Sequence, residues 1–225
     1  MMLAFIDNPQ LLIIEFNDLI KVTQRKTFIT VGIEIQKEEI RVIEDYRNDL
    51  DKLKKEFITR GLEKEANLIF NLENTLLSFQ YELEMLVSIK EDDMDAAWKH
   101  LINAQMTIGS VIRNQPNGPT FLDNYVHKLS TYERLLFPTM TFSSVGGIIQ
   151  ESLCSICNDE YDKCNHIKGK VYMGEMCCQI IGKMDLEEIS IVDDPANKHC
   201  RIMTIQSEGK TYDILTLREQ EIKSS

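Results

Sequence analysis

Three cysteines and a histidine within thirteen residues constrain the fold of this chain more than any other feature. Cys154, Cys157, Cys164 and His166 follow the spacing C-x2-C-x6-C-x-H. Two residues between the first two cysteines allow a tight turn to present both sulfurs to one ion, and Cys164 and His166 return across a short polar loop. Three thiolates and an imidazole complete the tetrahedral shell that Zn²⁺ prefers. The sequence therefore predicts a structural zinc site with no open coordination position for catalysis.

Further potential ligands lie downstream of this motif. Cys177, Cys178, His199 and Cys200 could supply a substitute ligand or a second site. Successive side chains on a strand point to opposite faces, so at most one of Cys177 and Cys178 can face a given site. The simpler interpretation, which we favour, is that these are ordinary residues of a β region.

Composition and charge narrow the class of protein. Of the 225 residues, 43% are hydrophobic and 27% are charged, which is typical of a globular protein. The formal net charge of −11 argues against the broad cationic surface that nucleic-acid binding needs, although a basic stretch from Lys163 to Lys170 could touch a phosphate. No apolar run is long enough to predict a membrane-spanning helix. The six cysteines form no regular disulfide framework, so we expect a reducing compartment and a cytoplasmic protein.

The first 140 residues show helical periodicity. Asp7 or Asn8 could cap a first helix that has Pro9 at its first position. Two later stretches each carry a stripe of apolar residues along one helical face, and we call each stripe a seam. Gly61 lies between the two seams. It either ends one helix of an antiparallel hairpin, which we favour, or lies inside one long helix. The residues of each seam recur at alternating spacings of three and four: Ile43, Tyr46, Leu50, Leu53 and Phe57, then Ile69, Leu72, Leu76, Phe79, Leu83 and Leu86.

More helices follow these seams. Asp92 or Asp93 is expected to cap a helix from about Met94 to Arg113, and Trp98 within it is expected in the core. The breaker from Asn114 to Pro119 separates that helix from another over about 120–137. Residues 27–35 suit either a short strand or the lead into the next helix. Short connections predict a bundle or a coiled-coil hairpin, whose seams could bind a protein partner or a second copy of the chain.

The pattern changes after residue 140. Short β-like runs follow the metal motif, and turn formers such as Gly182-Lys183 and Glu208-Gly209 separate them. We therefore predict an α+β protein with a helical domain over 1–140 and a zinc-binding β domain over 141–225. A domain this small cannot rely on an apolar core alone, so metal binding would contribute directly to its folding.

Two short segments of the β region carry a resemblance to a known family. Residues 142–147 read F-S-S-V-G-G, and residues 186–197 read L-E-E-I-S-I-V-D-D-P-A-N. They resemble the S-x-G segment and the strand followed by P-A-N in the prohead maturation proteases of tailed phages. The resemblance implies Ser144 as nucleophile and Glu188 as its acidic partner. In that family the catalytic histidine lies on upstream strands, whereas this chain is helical upstream and places His100 and His127 on predicted helices.

These observations favour a non-catalytic, zinc-stabilised interaction or scaffold protein. The closed ligand set and the long apolar seams support it, and the resemblance suggests a phage, prophage or bacterial defence assembly. One alternative is a serine protease of the maturation type, for which no imidazole that could activate Ser144 is evident. Another is nucleic-acid binding through the zinc loop. Nucleotide-binding and zincin motifs do not occur in the sequence.

Overall fold

The computed structural model of the protein describes residues 9–115 and 122–220. Within these ranges a group of helices precedes three small antiparallel sheets, which confirms the predicted α+β class. The predicted cap at Asp7 or Asn8, residues 116–119 of the breaker and the expected helix start at Thr120 lie outside the described residues. None of the described helices is both long and apolar enough to cross a membrane.

The helical part is built around its third helix, α3. The helices are α1 (Pro9–Lys26), α2 (Ile33–Thr59), α3 (Glu63–Lys90), α4 (Met94–Arg113) and α5 (Asp123–Leu136). Helix α3 packs against both α2 and α4, so residues on several of its faces are buried. Of the ambiguous residues 27–35, residues 27–32 form a turn and residues 33–35 begin α2, so the segment leads into the next helix and is not a strand. The side-chain amide of Gln36 donates there to the carbonyl of Lys26 at the end of α1 and to the carbonyl of Phe28, which also accepts from the N–H of Val31.

Gly61 ends α2 and turns the chain into α3, which confirms the predicted hairpin. Its φ of +69° is left-handed, a conformation that glycine adopts without the steric cost of a Cβ. Its N–H donates to the carbonyl of Ile58 at 3.0 Å, and the N–H of Leu62 donates to the carbonyl of Phe57 at 2.9 Å. These bonds satisfy the last carbonyls of α2, so the turn follows from local sequence.

The apolar seams pack inside the molecule. Every seam residue is buried in the common core except Tyr46, which is half-buried against it. At the start of α4 the carboxylate of Asp93 accepts from the N–H of Ala96 at 2.9 Å, as one of the two predicted caps. Trp98 is buried as predicted. The seam residues are thus occupied by contacts within the described part of the chain.

The β part is dominated by one long ribbon. Strands β1 (Phe142–Cys154) and β4 (Gln179–Val192) pair antiparallel and form a two-stranded sheet. Between them lie a short 3₁₀ helix (Tyr161–Lys163) and the hairpin of β2 (Val171–Tyr172) and β3 (Glu175–Met176). A third sheet contains β5 (Thr204–Ser207), β6 (Lys210–Asp213) and β7 (Glu219–Gln220).

One predicted turn in this part is wrong. Gly182 and Lys183 lie inside β4 and do not separate two strands. Glu151 pairs with Lys183 and Ser152 pairs with Ile181, so the register shifts and Gly182 is the extra residue of a bulge. The predicted turn at Glu208-Gly209 is confirmed, and it joins β5 to β6 with φ values of +52° and +78°.

The β part shares its apolar core with the helices. Phe142 and Leu215 are buried in the same cluster as the helical seams. The indole of Trp98 lies against Phe137 and Phe142, with ring centroids 5.3 and 6.3 Å apart, and its Nε1–H donates to the carbonyl of Lys198 at 3.1 Å. The start of the ribbon is therefore anchored in the helical core.

Candidate metal centre

The structure brings the four predicted ligands together. The sulfurs of Cys154, Cys157 and Cys164 and a ring nitrogen of His166 all lie within 4.8 Å of one another. Cys154 is buried and the other three residues are half-buried. Donor atoms that share one tetrahedral ion are separated by roughly 3–4 Å, so modest side-chain adjustment brings this cluster onto a metal.

The turn after β1 shapes the first half of the cluster. The N–H of Cys154 donates to the carbonyl of Asp159, and the N–H of Asn158 donates back to the carbonyl of Cys154, both at 2.9 Å. Asn158 takes a left-handed φ of +60°, which asparagine tolerates better than most residues. The N–H of Ile156 points at the sulfur of Cys154 at 3.4 Å. The turn therefore closes around one sulfur and supplies a donor that stabilises its thiolate.

Aromatic residues order the second half. Cys164 follows the 3₁₀ helix, and its N–H donates to the carbonyl of Tyr161 at 3.3 Å. The hydroxyl of Tyr161 accepts from the N–H of Lys168 at 3.0 Å, which closes the loop that carries His166. The imidazole packs edge-on against the ring of Tyr172, with centroids 4.7 Å apart at 84°. This contact orients the ring toward the sulfurs.

An unsatisfied atom supports a metal at this position. The Nδ1 atom of His166 is buried and has no hydrogen-bond partner among the described residues. Leaving a buried nitrogen unpaired costs about 1–3 kcal/mol, whereas coordination would satisfy it. Three sulfurs with one imidazole nitrogen are also ligands that suit a borderline-soft divalent ion. The residues present therefore fit a metal.

The thiols of Cys154 and Cys157, in the turn after β1, have different pKa values. Burial alone would raise the pKa of Cys154, but the N–H groups of Cys157 and Ile156 and the thiols of Cys164 and Cys177 outweigh it and lower that pKa to about 6. The N–H of Asp159 favours the thiolate of Cys157, yet burial and the neighbouring Cys154 raise its pKa to about 11. These contacts favour a thiolate in the turn after β1, and a metal that binds both sulfurs would displace the remaining thiol proton.

Two asparagines attach the metal loop to the helices. Asn67 on α3 donates to the carbonyl of Val171 at 3.3 Å and accepts from the N–H of Gly174 at 2.7 Å. Asn114, directly after α4, donates to the carbonyl of Gly169 and accepts from the N–H of Val171, both at 3.0 Å. The hairpin next to the cluster is therefore held on two helices by polar contacts.

The sequence interpretation of Cys177 as an ordinary β residue missed its position. Its sulfur lies 3.8 Å from that of Cys154, and both cysteines are fully buried. Cys178 is exposed, and both residues lie in the segment between β3 and β4 and not in a strand. His199 pairs with Asn103 at 3.0 Å, and Cys200 is exposed. The expected alternation allowed at most one of Cys177 and Cys178 to face the cluster, but the sequence did not indicate which one.

The residues implied by the protease resemblance lie on the ribbon. Ser144 pairs with Ser190 and Gly146 pairs with Glu188, so Ser144 and Glu188 share one face as diagonal neighbours. Among the described residues, no histidine forms a hydrogen bond or ion pair with either side chain. The four histidines have other environments: His100 contacts Glu84, His127 is exposed, His166 joins the metal cluster and His199 contacts Asn103.

Comparisons with known proteins provide no family. A scan against protein-family models, a search of curated proteins and a search of solved structures each found no match to this chain. The resemblance to the prohead maturation proteases therefore stays a prediction, and function must be argued from the surfaces and sites of the chain itself.

Proposed function

We propose that this protein is a non-catalytic, zinc-stabilised interaction protein that self-associates through its β ribbon. The observation that carries the proposal is an uncovered apolar face on that ribbon. Directly paired residues of an antiparallel ribbon point to the same side, and the pairs Val145 with Ile189, Gly147 with Leu186 and Ile149 with Met184 define this face. Its large side chains are exposed by 38–73%: Val145, Ile149, Met184, Leu186, Ile189 and Ile191.

The opposite face of the ribbon is more polar over its exposed part, but it also carries the exposed side chain of Ile148, which pairs with Asp185. The pairs Ser144 with Ser190 and Gly146 with Glu188 lie there, together with Asp185, whose carboxylate accepts from the side chain of Gln150 at 2.8 Å. A two-stranded ribbon is marginally stable when it stands alone in water. An amphipathic ribbon of this kind gains stability when its apolar face is covered, as in one layer of a β sandwich.

A second copy of the chain suits this face. Two ribbons stacked apolar face to apolar face would bury their aliphatic side chains and leave the carboxylates of Asp185 and Glu188 in water. At on the order of 100 Å² for each half-exposed aliphatic side chain, about 600 Å² per copy would be covered. The total of about 1,200 Å² reaches the lower range of specific interfaces. Self-association of the same patch also generates the closed two-fold arrangement that is commonest among oligomers.

In this proposal the metal holds the far end of the ribbon. Phe142 anchors the start of β1 in the helical core, and Cys154 at its other end joins the metal cluster. Zinc is the ion that best suits three cysteines and a histidine, and a closed protein shell suits a structural role. A reducing compartment such as the cytoplasm would keep these thiols available. The sequence resemblance adds a phage, prophage or bacterial defence setting as part of the proposal.

The oligomeric state tests the proposal. We expect sedimentation velocity of the full chain to show a concentration-dependent dimer. The pair Leu186→Lys and Ile189→Lys should give a monomer with an unchanged helical circular dichroism spectrum. The matched control is the pair Ser144→Lys and Ser190→Lys, which adds the same two charges to the opposite face and should remain dimeric. The proposal that a second copy covers this face would be refuted by a wild-type chain that stays monomeric at high concentration. It would also be refuted if the variant with Leu186→Lys and Ile189→Lys still formed the dimer.

Metal analysis tests the zinc part separately. Elemental analysis should find about one zinc per chain, the number expected for one closed ligand set. The double change Cys157→Ser and Cys164→Ser should lose the metal, whereas Cys178→Ser and Cys200→Ser, which change two exposed cysteines, should keep it. Purified protein without zinc would refute the metal assignment and leave the ribbon proposal to its own test.

A further inference from the structure

The cluster contains one potential donor more than a tetrahedral ion can use. Cys154, Cys157, Cys164 and His166 form the grouped set, and the buried thiol of Cys177 lies against it. The distance of 3.8 Å between the sulfurs of Cys154 and Cys177 has a specific meaning. Two thiolates bound to one tetrahedral zinc at about 2.3 Å are separated by about 3.8 Å.

The backbone holds Cys177 at this distance. Its N–H donates to the carbonyl of Lys170 and its carbonyl accepts from the N–H of Gly169, both at 2.8 Å. The next residue is tied to the turn after β1, because the N–H of Cys178 donates to the hydroxyl of Ser155 at 2.8 Å and its carbonyl accepts from the N–H of Ser155 at 3.0 Å. The sulfur of Cys177 is therefore presented by the short segment between β3 and β4, whose backbone is held by hydrogen bonds on both sides.

His166 is held more loosely than Cys177. It lies on the loop after Cys164, is half-buried, and its ring is oriented by the edge-on contact with Tyr172. No hydrogen bond to another described residue fixes its Nδ1 atom. No hydrogen bond to Nδ1 from the described residues opposes rotation of the imidazole out of the cluster, whereas four hydrogen bonds hold the backbone of Cys177 and Cys178, so the Cys177 thiol stays within reach of the ion.

We propose that Cys177 is a reserve ligand that takes the fourth coordination position when His166 leaves it. This inference rests on the metal site of the proposed function and adds a second closed shell, made of four cysteines. In the exchange the bond from the metal to the imidazole nitrogen breaks, a bond from the metal to the Cys177 sulfur forms, and the thiol proton passes to solvent. The ion then remains bound without His166, and the far end of the ribbon stays in place.

Metal-binding titrations of single and double variants test this directly. The probes are Zn²⁺ and Co²⁺ alone, and the absorption band from thiolate to Co²⁺ reports the number of bound sulfurs. His166→Asn should still bind one ion, with a stronger thiolate band than the wild type because a fourth sulfur has replaced nitrogen. Adding Cys177→Ser to His166→Asn should weaken binding by more than about a hundredfold, beyond the usual effect of changing a neighbour of a ligand.

The adjacent cysteine provides the matched control. His166→Asn with Cys178→Ser should bind as His166→Asn alone does, because Cys178 is exposed and faces away. Cys177→Ser alone should bind with the wild-type thiolate band, because His166 completes the shell. The inference is overturned if His166→Asn alone loses the ion as fully as the double variant, or if Cys177→Ser does not weaken binding of His166→Asn. Failure of the metal assignment itself looks different, since the wild-type chain would then bind no ion.

Discussion

Asn67 on α3 and Asn114 after α4 bind the same residue, Val171, from two sides. The side chain of Asn67 donates to the carbonyl of Val171 at 3.3 Å, and the side chain of Asn114 accepts from its N–H at 3.0 Å. An asparagine side chain can replace a neighbouring strand in this way because it offers one donor group and one acceptor. The two-residue strand β2 thus has its polar backbone groups satisfied by helices, which fixes the metal loop on the helical body.

Replacing Asn67 tests this attachment. We expect Asn67→Ala to lower the free energy of unfolding by about 1–3 kcal/mol, because the N–H of Gly174 and the carbonyl of Val171 lose their partner. Asn74→Ala is the control on the same helix, since Asn74 donates only to the carbonyl of Phe70 within α3. Urea denaturation measures the difference, and hydrogen exchange should show faster exchange at Gly174 in the first variant only. Equal effects of both changes would contradict the proposed role of Asn67 in attaching β2 to the helices.

The buried guanidinium of Arg201 should depend strongly on Asp95. The side chain of Arg201 is 1% exposed and its Nη2 atom lies 2.5 Å from a carboxylate oxygen of Asp95. Asp95→Ala would leave a buried positive charge without its partner, and we expect a loss of about 3 kcal/mol in the free energy of unfolding. The measurement is chemical denaturation at constant pH.

A nearby exposed pair provides the comparison. Asp92 binds the guanidinium of Arg218 through both oxygens at 2.6 and 2.9 Å, but both side chains are more than 60% exposed. Exposed ion pairs contribute little because water screens them. Asp92→Ala should therefore change the stability only slightly. If it destabilises as much as Asp95→Ala, burial of Arg201 is not the reason for the effect.

The ribbon should be sensitive to a methyl group at Gly147. A Cβ at this position would lie 2.3 Å from the carbonyl oxygen of Asp185 and 2.7 Å from the terminal methyl of Met184. We expect Gly147→Ala to disrupt the pairing of β1 with β4 while the helices keep their circular dichroism signal. Hydrogen exchange of ribbon amides would detect the change.

Gly182 in the bulge of the same ribbon is the matched control. The nearest atom to a Cβ there is the carbonyl oxygen of Glu151 at 3.6 Å, which is an ordinary contact. Gly182→Ala should leave the ribbon amides as protected as in the wild type. The steric account fails if the two alanine variants exchange alike.

The free energy of unfolding should depend on pH through the protonation of Glu82. Burial raises the pKa of this fully buried carboxyl from 4.5 to about 7, although Lys128 lies 2.5 Å away and opposes the shift. The folded state then binds the proton more tightly than the unfolded chain. The contribution of Glu82 to the free energy of unfolding therefore falls as the pH rises from 4.5 through 7, by about 3 kcal/mol in total.

Glu82→Gln removes this titration. The stability of the variant relative to the wild type should increase between pH 5 and pH 8, as measured by denaturation at several pH values. The exposed Glu38 supplies the control Glu38→Gln, which should run parallel to the wild type. A constant difference between Glu82→Gln and the wild type over this range would exclude the proposed proton uptake.

Local features of the chain were predicted well because their causes are local. Gly61 ends a helix, Asp93 caps another, and the C-x2-C-x6-C-x-H spacing brings four donors together, each through residues close in sequence. The conformation of residues 27–35 could not be predicted from the sequence, because β-branched residues suit several conformations. In the structure the side chain of the neighbouring Gln36 stabilises the turn by donating to the carbonyl of Lys26.

The sequence by itself determined the α+β class, the helical hairpin and the grouping of Cys154, Cys157, Cys164 and His166, because spacing over a few residues suffices for each. Only the tertiary structure decided that Gly182 lies in a bulge, that Cys177 and not Cys178 faces the cluster, and that the apolar face of the ribbon is exposed. The position of Cys177 depends on its backbone hydrogen bonds to Gly169 and Lys170. The bulge and the exposed face depend on the register between β1 and β4, strands that are distant in sequence. A shift of one residue in that register would reverse the face of every side chain, and no local pattern specifies it.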